Sequence, residues 1–275
     1  MCGSIPAAPE MTDAFSGGAE DPRRFGGIAR LYGEAGRARL AAARVAVVGI
    51  GGVGSWAAEA LARSGVGALT LIDLDHVAES NLNRQIHATE ATLGQAKVDA
   101  MAARIAGYAP GCAVTRVDDF VTVENAATLL GAGFDYVVDA IDAVRVKVAM
   151  IAVCRAAGVP VVTCGAAGGQ IDPTQIRVDD LARTIQDPLL AKVRGQLRKA
   201  HGFPRDAKKK FGVEAVFSTE PLRYPAPATV CDAAGGGAPQ GPAGLNCAGF
   251  GSVVTVTASV GLFAAARALN GLAAG

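Results

Sequence analysis

The residues best placed to do chemistry are a run of glycines and the acids and bases that follow it. Gly49-Ile50-Gly51-Gly52-Val53-Gly54 satisfies G-x-G-x-x-G. In such a loop the first glycine allows a tight turn, the second lets backbone approach a phosphate, and the third lets the next helix pack on the preceding strand. The helix N-terminus then offers free N–H groups and a partial positive charge. Asp73 comes 19 residues after Gly54, where a carboxylate accepts ribose hydroxyls, and Asp75 is grouped with it. To this point the ligand is an adenine nucleotide, and NAD and ATP are not separated. Arg84 and Lys97 favour ATP, because a pyrophosphate carries about two charges that backbone donors can meet, whereas a triphosphate carries about four and needs fixed cations. Asn81 and Gln85 can hydrogen-bond ribose or phosphate. Spacing alone reads Arg84 and Lys97 equally well as ordinary surface charge. Asp139 and Asp142 close the next strong strand, where a carboxylate can hold Mg²⁺ against the phosphates. Asp142 carries that metal assignment, and it equally suits the N-cap of a helix starting at Val144.

These groups need elements to hold them. Residues 45–48 form a short apolar run of the kind found in strands buried on both faces. The glycine loop follows at once, then a helix over 55–63 and a strand over 69–72. A strand, loop, helix and strand within about 30 residues demand a parallel sheet. The alternation continues with helices over 97–106 and 144–157 and strands over 113–117, 134–141, 159–163 and 176–178. A helical lead-in over 24–43 precedes it, and a flexible GAAGG (165–169) caps the fifth strand. The fold class is α/β: a Rossmann-like, mostly parallel sheet with helices on both faces, plus a basic helical segment over 180–210 and a C-terminal extension. Residues 221–245 are rich in Pro and Gly and are expected to be loop.

Composition excludes several classes. With 51% hydrophobic and 19% charged residues, the chain of 275 is neither disordered nor a coiled coil. Aromatics at 5% argue against a stacking surface for single-stranded nucleic acid. The six cysteines (Cys2, Cys112, Cys154, Cys164, Cys231, Cys247) form no C-x-x-C pair, which removes zinc ribbons and thioredoxin-like sites. Cys154 and Cys164 lie in apolar runs and are expected to be buried, as in a reduced cytoplasmic protein. The N-terminal 23 residues lack the features of a signal peptide and are expected to be a disordered tail. Residues 248–266 carry no charge, the length of a membrane span, but Ser252, Thr255, Thr257, Ser259 and three glycines make a buried or interface helix the better expectation.

Charge is uneven. The net charge is +1, yet residues 192–210 hold eight Lys/Arg (Lys192, Arg194, Arg198, Lys199, Arg205, Lys208, Lys209, Lys210) against Asp206, a local +7 that leaves −6 elsewhere. Leu190, Val193 and Leu197 fall on one helical face beneath them. Taken alone, such a run is a solvated, solubilising face.

The strings VVGIGGVGS, LIDLDHVAESNLNRQ, GQAKVD and VVDAIDAVRVK together resemble the E1-like adenylating superfamily, over residues 24 to about 180. That resemblance implies that Asp73 holds the ribose, that Asn81, Arg84 and Lys97 grip the triphosphate of ATP, and that Asp142 positions Mg²⁺ and the transferring phosphate. RFGGIARLYG, CGAAGGQIDPTQIRVDDLARTIQDPL, VFSTEPLRYP and CAGFGSVVTVTA extend it to the branch of bacterial tRNA threonylcarbamoyladenosine dehydratases, over nearly the whole chain beyond residue 23. The branch implies ATP-dependent activation of the threonine carboxylate on the modified adenosine next to the anticodon. The neighbouring carbamoyl group then closes on it, with water lost overall and no nucleophilic cysteine needed.

Beside that resemblance the basic segment becomes a footprint for tRNA phosphates. The resemblance also implies a homodimer, with an arginine from the partner's N-terminal helix reaching the phosphates. The strict position is Gly27 here, which leaves Arg24 or Arg30 for the role. A sulfur-relay partner belongs to the setting of some relatives. Residues 24–275 are then one adenylating domain, with a nucleotide core over 24–180 and a basic substrate-binding and dimerisation region over 181–275. The competing reading, an adenylyltransferase for a ubiquitin-like sulfur carrier, shares the ATP site and gives Cys231 or Cys247 a possible thiol role, but lacks that branch's zinc cysteines. An NAD(P)-dependent oxidoreductase leaves Arg84, Lys97 and Asp142 unexplained.

Overall fold

A computed structural model of the chain describes residues 22–131, 133–206, 208–224 and 250–275. Residues 1–21 of the expected tail, most of the expected Pro/Gly-rich loop, and Cys2, Cys231 and Cys247 lie outside the described residues.

Val45 to Val48 in β1 (Arg44–Val48) are all buried, and their alternation sorts two cores. Val45 and Val47 pack with Leu61 of α2 (Gly54–Arg63) and with Met101 and Ile105 of α3 (Lys97–Ala106). Ala46 and Val48 face the other way, toward Ile151 of α5 (Val144–Ala157) and toward Leu190, Val193 and Leu197 of α6 (Pro188–Ala200). The remaining elements are α1 (Pro22–Ala42), β2 (Ala68–Ile72), β3 (Ala113–Val117), α4 (Ala126–Leu130), β4 (Tyr136–Asp139), β5 (Val161–Cys164), β6 (Ile176–Asp180), β7 (Glu214–Ser218) and α7 (Val254–Ala274). The sheet order is β3-β2-β1-β4-β5-β7-β6. Every pairing is parallel except β6 with β7. Strand order reverses between β1 and β4, so a crevice opens above their carboxyl ends. Val48 pairs with both Ile72 and Asp139, which sets the tips of β1, β2 and β4 level beneath it.

The fold differs from the sequence expectation in several places. The strand expected over 134–141 is shorter, because Ala140 to Ala143 turn away into the crevice. The helix expected over 180–210 is α6 alone. Asp180 ends β6 and accepts N–H bonds from Ala182, Phe211 and Gly212, and Asp187 and Pro188 start the helix afresh. β7, which apolar patterning did not single out, lies between β5 and the antiparallel edge strand β6. The GAAGG loop is tied down. Gly165 and Gly169 donate to Val216 and Gly251, and Gly169 accepts from Arg223.

By length and composition α7 could cross a membrane, yet it is a core helix: Val256, Val260, Ala264, Ala265 and Ala268 are at most 1% exposed. A Cβ on Gly261 would lie 2.3 Å from the Val53 carbonyl oxygen, so only glycine lets α7 approach the start of α2 this closely. The expectation of a buried or interface helix holds for this face from Val254 onward, while Leu262 and Phe263 on the other face are exposed.

Candidate active site

The crevice is a cleft of about 490 Å³ whose lining includes Gly49, Gly51, Gly52, Asp73, Asp75, Arg84, Gln85, Lys97 and Asp142. That volume is in the range of small-molecule sites. Gly49 turns the chain at φ 87°. A Cβ on Gly54 would sit 1.7 Å from the Gly49 carbonyl oxygen. Gly54 therefore packs helix on loop behind the cleft and does not line it, which corrects its assignment as a ligand contact.

Asp73 continues from β2 and is 8% exposed. Its Oδ2 accepts the Ile50 N–H at 2.6 Å and its Oδ1 the Asp75 N–H at 2.9 Å, so the acid is locked to the glycine loop. Burial raises its pKa, and Lys97 pulls it back in part. Each oxygen keeps a lone pair for a ribose hydroxyl. Gln85 is 5% exposed, and its Oε1 has no partner among the described residues. A buried acceptor awaits a donor, and a ribose hydroxyl is one while a phosphate oxygen is not. Of the two ligand parts expected for Gln85, the ribose fits.

Lys97 opens α3, is 6% exposed and donates to Asp75 Oδ2 at 2.7 Å, leaving two ammonium protons. Arg84 donates from Nη1 to the Ser80 carbonyl at 2.6 Å and to Asn83 Oδ1 at 2.9 Å. Its Nε and Nη2 have no hydrogen-bond partner among the described residues, and that pair is the edge a guanidinium offers to two phosphate oxygens. Asn81 is brought close but not into the lining. It is buried, its Oδ1 accepts the Ala78 N–H, and its carbonyl accepts from the N–H groups of Arg84 and Gln85. Its place is that of a support for the loop carrying those two residues.

The two carboxylates expected to close the strand separate completely. Asp139 is fully buried under the cleft floor, ion-paired to Lys147 at 2.9 Å and accepting from Thr163 Oγ1 at 2.6 Å. It has no opening through which to meet a metal. Asp142 lies three residues on, exposed at the cleft wall and without a capping bond to α5. Among the described residues no three His, Cys, Asp or Glu side chains cluster. One carboxylate beside a phosphate site still suits Mg²⁺, which takes most of its shell from phosphates and water.

Sequence reading missed Thr257, Phe120, Lys147 and Asp187. Thr257 comes from α7 and lines the cleft beside Gly52. Phe120, 49% exposed, stands in the lining after β3. Lys147 could have been suspected as a charge within an otherwise apolar turn of α5. Asp187 gives one oxygen to cap α6 at the Leu190 N–H and the other to the Ala166 N–H in the cleft wall. Burial raises its pKa. Burial also pushes the thiols of Cys154 and Cys164 up to about 12, so both are protonated and inert at neutral pH, as expected of buried cysteines.

The basic segment divides. Lys192, Lys199, Arg205, Lys208, Lys209 and Lys210 are exposed. Arg194 is turned onto the Thr184 hydroxyl, and Arg198 donates to the Pro204 carbonyl and lies over the Phe211 ring. α6 starts at the cleft wall and runs 13 residues, about 20 Å at helical rise, to the opposite end of the sheet. The Lys208–Lys210 run therefore lies beyond the foot of the sheet, not at the cleft. Of the two candidate trans arginines, Arg24 donates to the Tyr108 carbonyl of its own chain and Arg30 is exposed.

The sequence model of the ThiF family matches residues 26–273. The tRNA threonylcarbamoyladenosine dehydratase of Escherichia coli (strain K12) is 55% identical over 250 residues, covering 90% of this chain and 92% of that protein. Its Haemophilus influenzae counterpart is 49% identical, with coverages of 91% and 93%. The crystal structure of the E. coli tRNA N6-threonylcarbamoyladenosine dehydratase in complex with ATP superposes with a TM-score of 0.81 at 52% identity, covering 92% of this chain and 95% of that one.

Proposed function

The chain belongs to the ThiF family, and on that premise we propose that it is an ATP-dependent tRNA threonylcarbamoyladenosine dehydratase. The observation that carries the reading is the cleft itself: a glycine loop, an acid locked to it, and the free edge of Arg84, Lys97 and Asp142 around one volume. Similarity over nine-tenths of both chains to relatives of that name, one of them solved with ATP, supports it.

ATP enters with its ribose on Asp73 and Gln85 and its phosphates on the Gly49–Gly52 backbone. Arg84 and Lys97 draw charge off the leaving pyrophosphate. Asp142 would hold Mg²⁺ there, and the metal would supply further charge neutralisation. The threonyl carboxylate attacks the α-phosphorus and pyrophosphate leaves. The carbamoyl nitrogen then attacks the activated carbonyl and loses its proton, and AMP departs with one former carboxylate oxygen. Oxygen and two hydrogens are thereby removed overall. Because nucleophile and electrophile sit on one nucleoside, the chain only has to orient them.

The tRNA is held by the exposed cations along α6 and beyond its end. A tRNA stem is long enough to span from the cleft to those lysines, so both can belong to one interface. A homodimer, with Arg30 offered to the partner's cleft, and a cytoplasmic location where tRNA is found, complete the proposal. Residues 24–275 act as one adenylating domain. The test is tRNA bearing the linear base, incubated with the protein, ATP and Mg²⁺. The nucleoside should lose the mass of one water, and an unchanged mass beside an active control enzyme overturns the assignment. A sulfur-carrier adenylyltransferase would instead show pyrophosphate exchange stimulated by a carrier protein and not by tRNA.

A further inference from the structure

The C-terminal segment lies about 200 residues from the glycine loop in sequence, yet it bears on the cleft at two points, one in the lining and one through Asn83. Thr257 is 2% exposed and belongs to the cleft lining. Among the described residues its Oγ1 reaches only the Val253 and Val254 carbonyls, at 3.3 and 3.4 Å. Good O–H···O bonds are 2.5–3.0 Å long, and a hydroxyl has one proton, so this buried donor is poorly satisfied inside the protein. Its Cβ lies 3.4 Å from where a Gly52 Cβ would be, and Arg84 Cγ and Cδ lie 3.1 and 3.2 Å from that same point. Thr257 and Arg84 thus flank one glycine of the phosphate loop.

The second point is the lead-in to α7. The Ser252 carbonyl accepts from Asn83 Nδ2 at 2.9 Å, and Asn83 Oδ1 accepts from Arg84 Nη1 at 2.9 Å. Only one orientation of the Asn83 amide satisfies both neighbours, since a carbonyl needs the amide nitrogen and a guanidinium needs the amide oxygen. With the Ser80 carbonyl, Asn83 occupies both protons of Nη1 and leaves the Nε–Nη2 edge to a ligand.

We propose that the C-terminal segment completes the triphosphate grip: Thr257 donates its hydroxyl to the phosphates beyond the adenylyl group, and Asn83, anchored by Ser252, is a positioning residue for the Arg84 fork. This rests on the reading of the cleft as an ATP site but not on the tRNA reaction. It predicts that the two residues act on ATP and not on AMP, which lacks the outer phosphates.

The experiment is calorimetric titration of the full chain with ATP plus Mg²⁺ and separately with AMP, for wild type, Thr257→Val, Thr257→Ser and Asn83→Ala. Valine keeps the shape and deletes the donor; serine keeps the donor. Thr257→Val should weaken ATP binding about tenfold, the usual scale for a hydrogen bond to a charged group, with AMP binding within about twofold. Thr257→Ser should bind ATP like wild type. Asn83→Ala should lose ATP affinity by a similar factor and spare AMP, an asymmetry that disturbed packing would not produce. Equal losses for ATP and AMP, or no loss for either, overturn the proposal. Wild-type protein that binds ATP but fails to dehydrate tRNA overturns the functional assignment and leaves this inference standing.

Discussion

Asp139 at the end of β4 and Asp142 just beyond it should respond to the same chemical change in opposite ways. Asp139 and Lys147 are each 0% exposed, 2.9 Å apart and bridged by Thr163. Removing one partner strands the other as an uncompensated buried charge, which costs about 3–5 kcal/mol. Lys147→Met should therefore remove a large share of a stability that for such domains totals about 5–15 kcal/mol. At about 2–4 °C per kcal/mol for a chain of this size, its Tm should fall by roughly 6–20 °C. Asp139→Asn should destabilise similarly, and the Asp139→Asn/Lys147→Met pair should cost less than the sum, with a coupling of about 1–3 kcal/mol. Asp142→Asn, at an exposed site with no bond to lose, should leave the unfolding midpoint unchanged and abolish turnover. Urea unfolding followed by circular dichroism gives the first set of numbers, and the nucleoside mass assay gives the second. A Lys147→Met cost below about 1 kcal/mol would refute the burial argument. So would an Asp142→Asn variant as unstable as Asp139→Asn.

His87 offers a pH test. It is 2% exposed, with no partner for either ring nitrogen among the described residues, and burial, reinforced by Lys97 and Arg104, lowers its pKa to about 4. Between the unfolded value of 6.5 and that value the unfolded chain binds a proton that the folded one refuses. Stability present above pH 6.5 is thus lost as pH falls toward 4, by up to about 1.4 kcal/mol per unit from this residue. His87→Gln should flatten that part of the urea-midpoint profile, and an unaltered profile would show that the imidazole does not cause it. On the basic face, neutralising Lys199 or Lys209 should weaken tRNA binding and reduce the slope of log affinity against log salt by about 0.9 for each phosphate left without its cation. Arg198→Gln should chiefly lower stability, because that guanidinium is engaged by Pro204 and Phe211. Filter binding across a salt series separates them, and an unchanged slope for the lysine variants would remove those residues from the interface.

Local chemistry was legible without coordinates. The four-residue apolar run before Gly49, the glycine spacing and the helix former after it specify a strand, turn and helix through neighbouring backbone. Their consequence, a parallel sheet with a crevice at the strand tips, follows from handedness and burial alone. Asp73 was placed for the same reason, since it follows directly on a strand, whereas Lys97 read equally well as surface charge until the resemblance gave it a role. What the sequence could not decide depended on which face a side chain takes and on which distant segment lies beside it. Asp139 and Asp142 look alike in the string VVDAID. The two-residue period of β4 puts Asp139 on the face that Val137 shares with α5, above Lys147, while the chain has already left the sheet at Asp142. The uncharged stretch that could have been a membrane span became the part of the cleft wall that carries Thr257, because Gly261 lets α7 seat against α2. Eight cations in one run became six on the surface and two bonded internally, because α6 ends at Ala200 and divides that run into helix and loop. Periodicity determines which elements form. Only the packed sheet brings residues 52, 84, 142 and 257 around one volume, since no short-range rule relates positions so far apart along the chain.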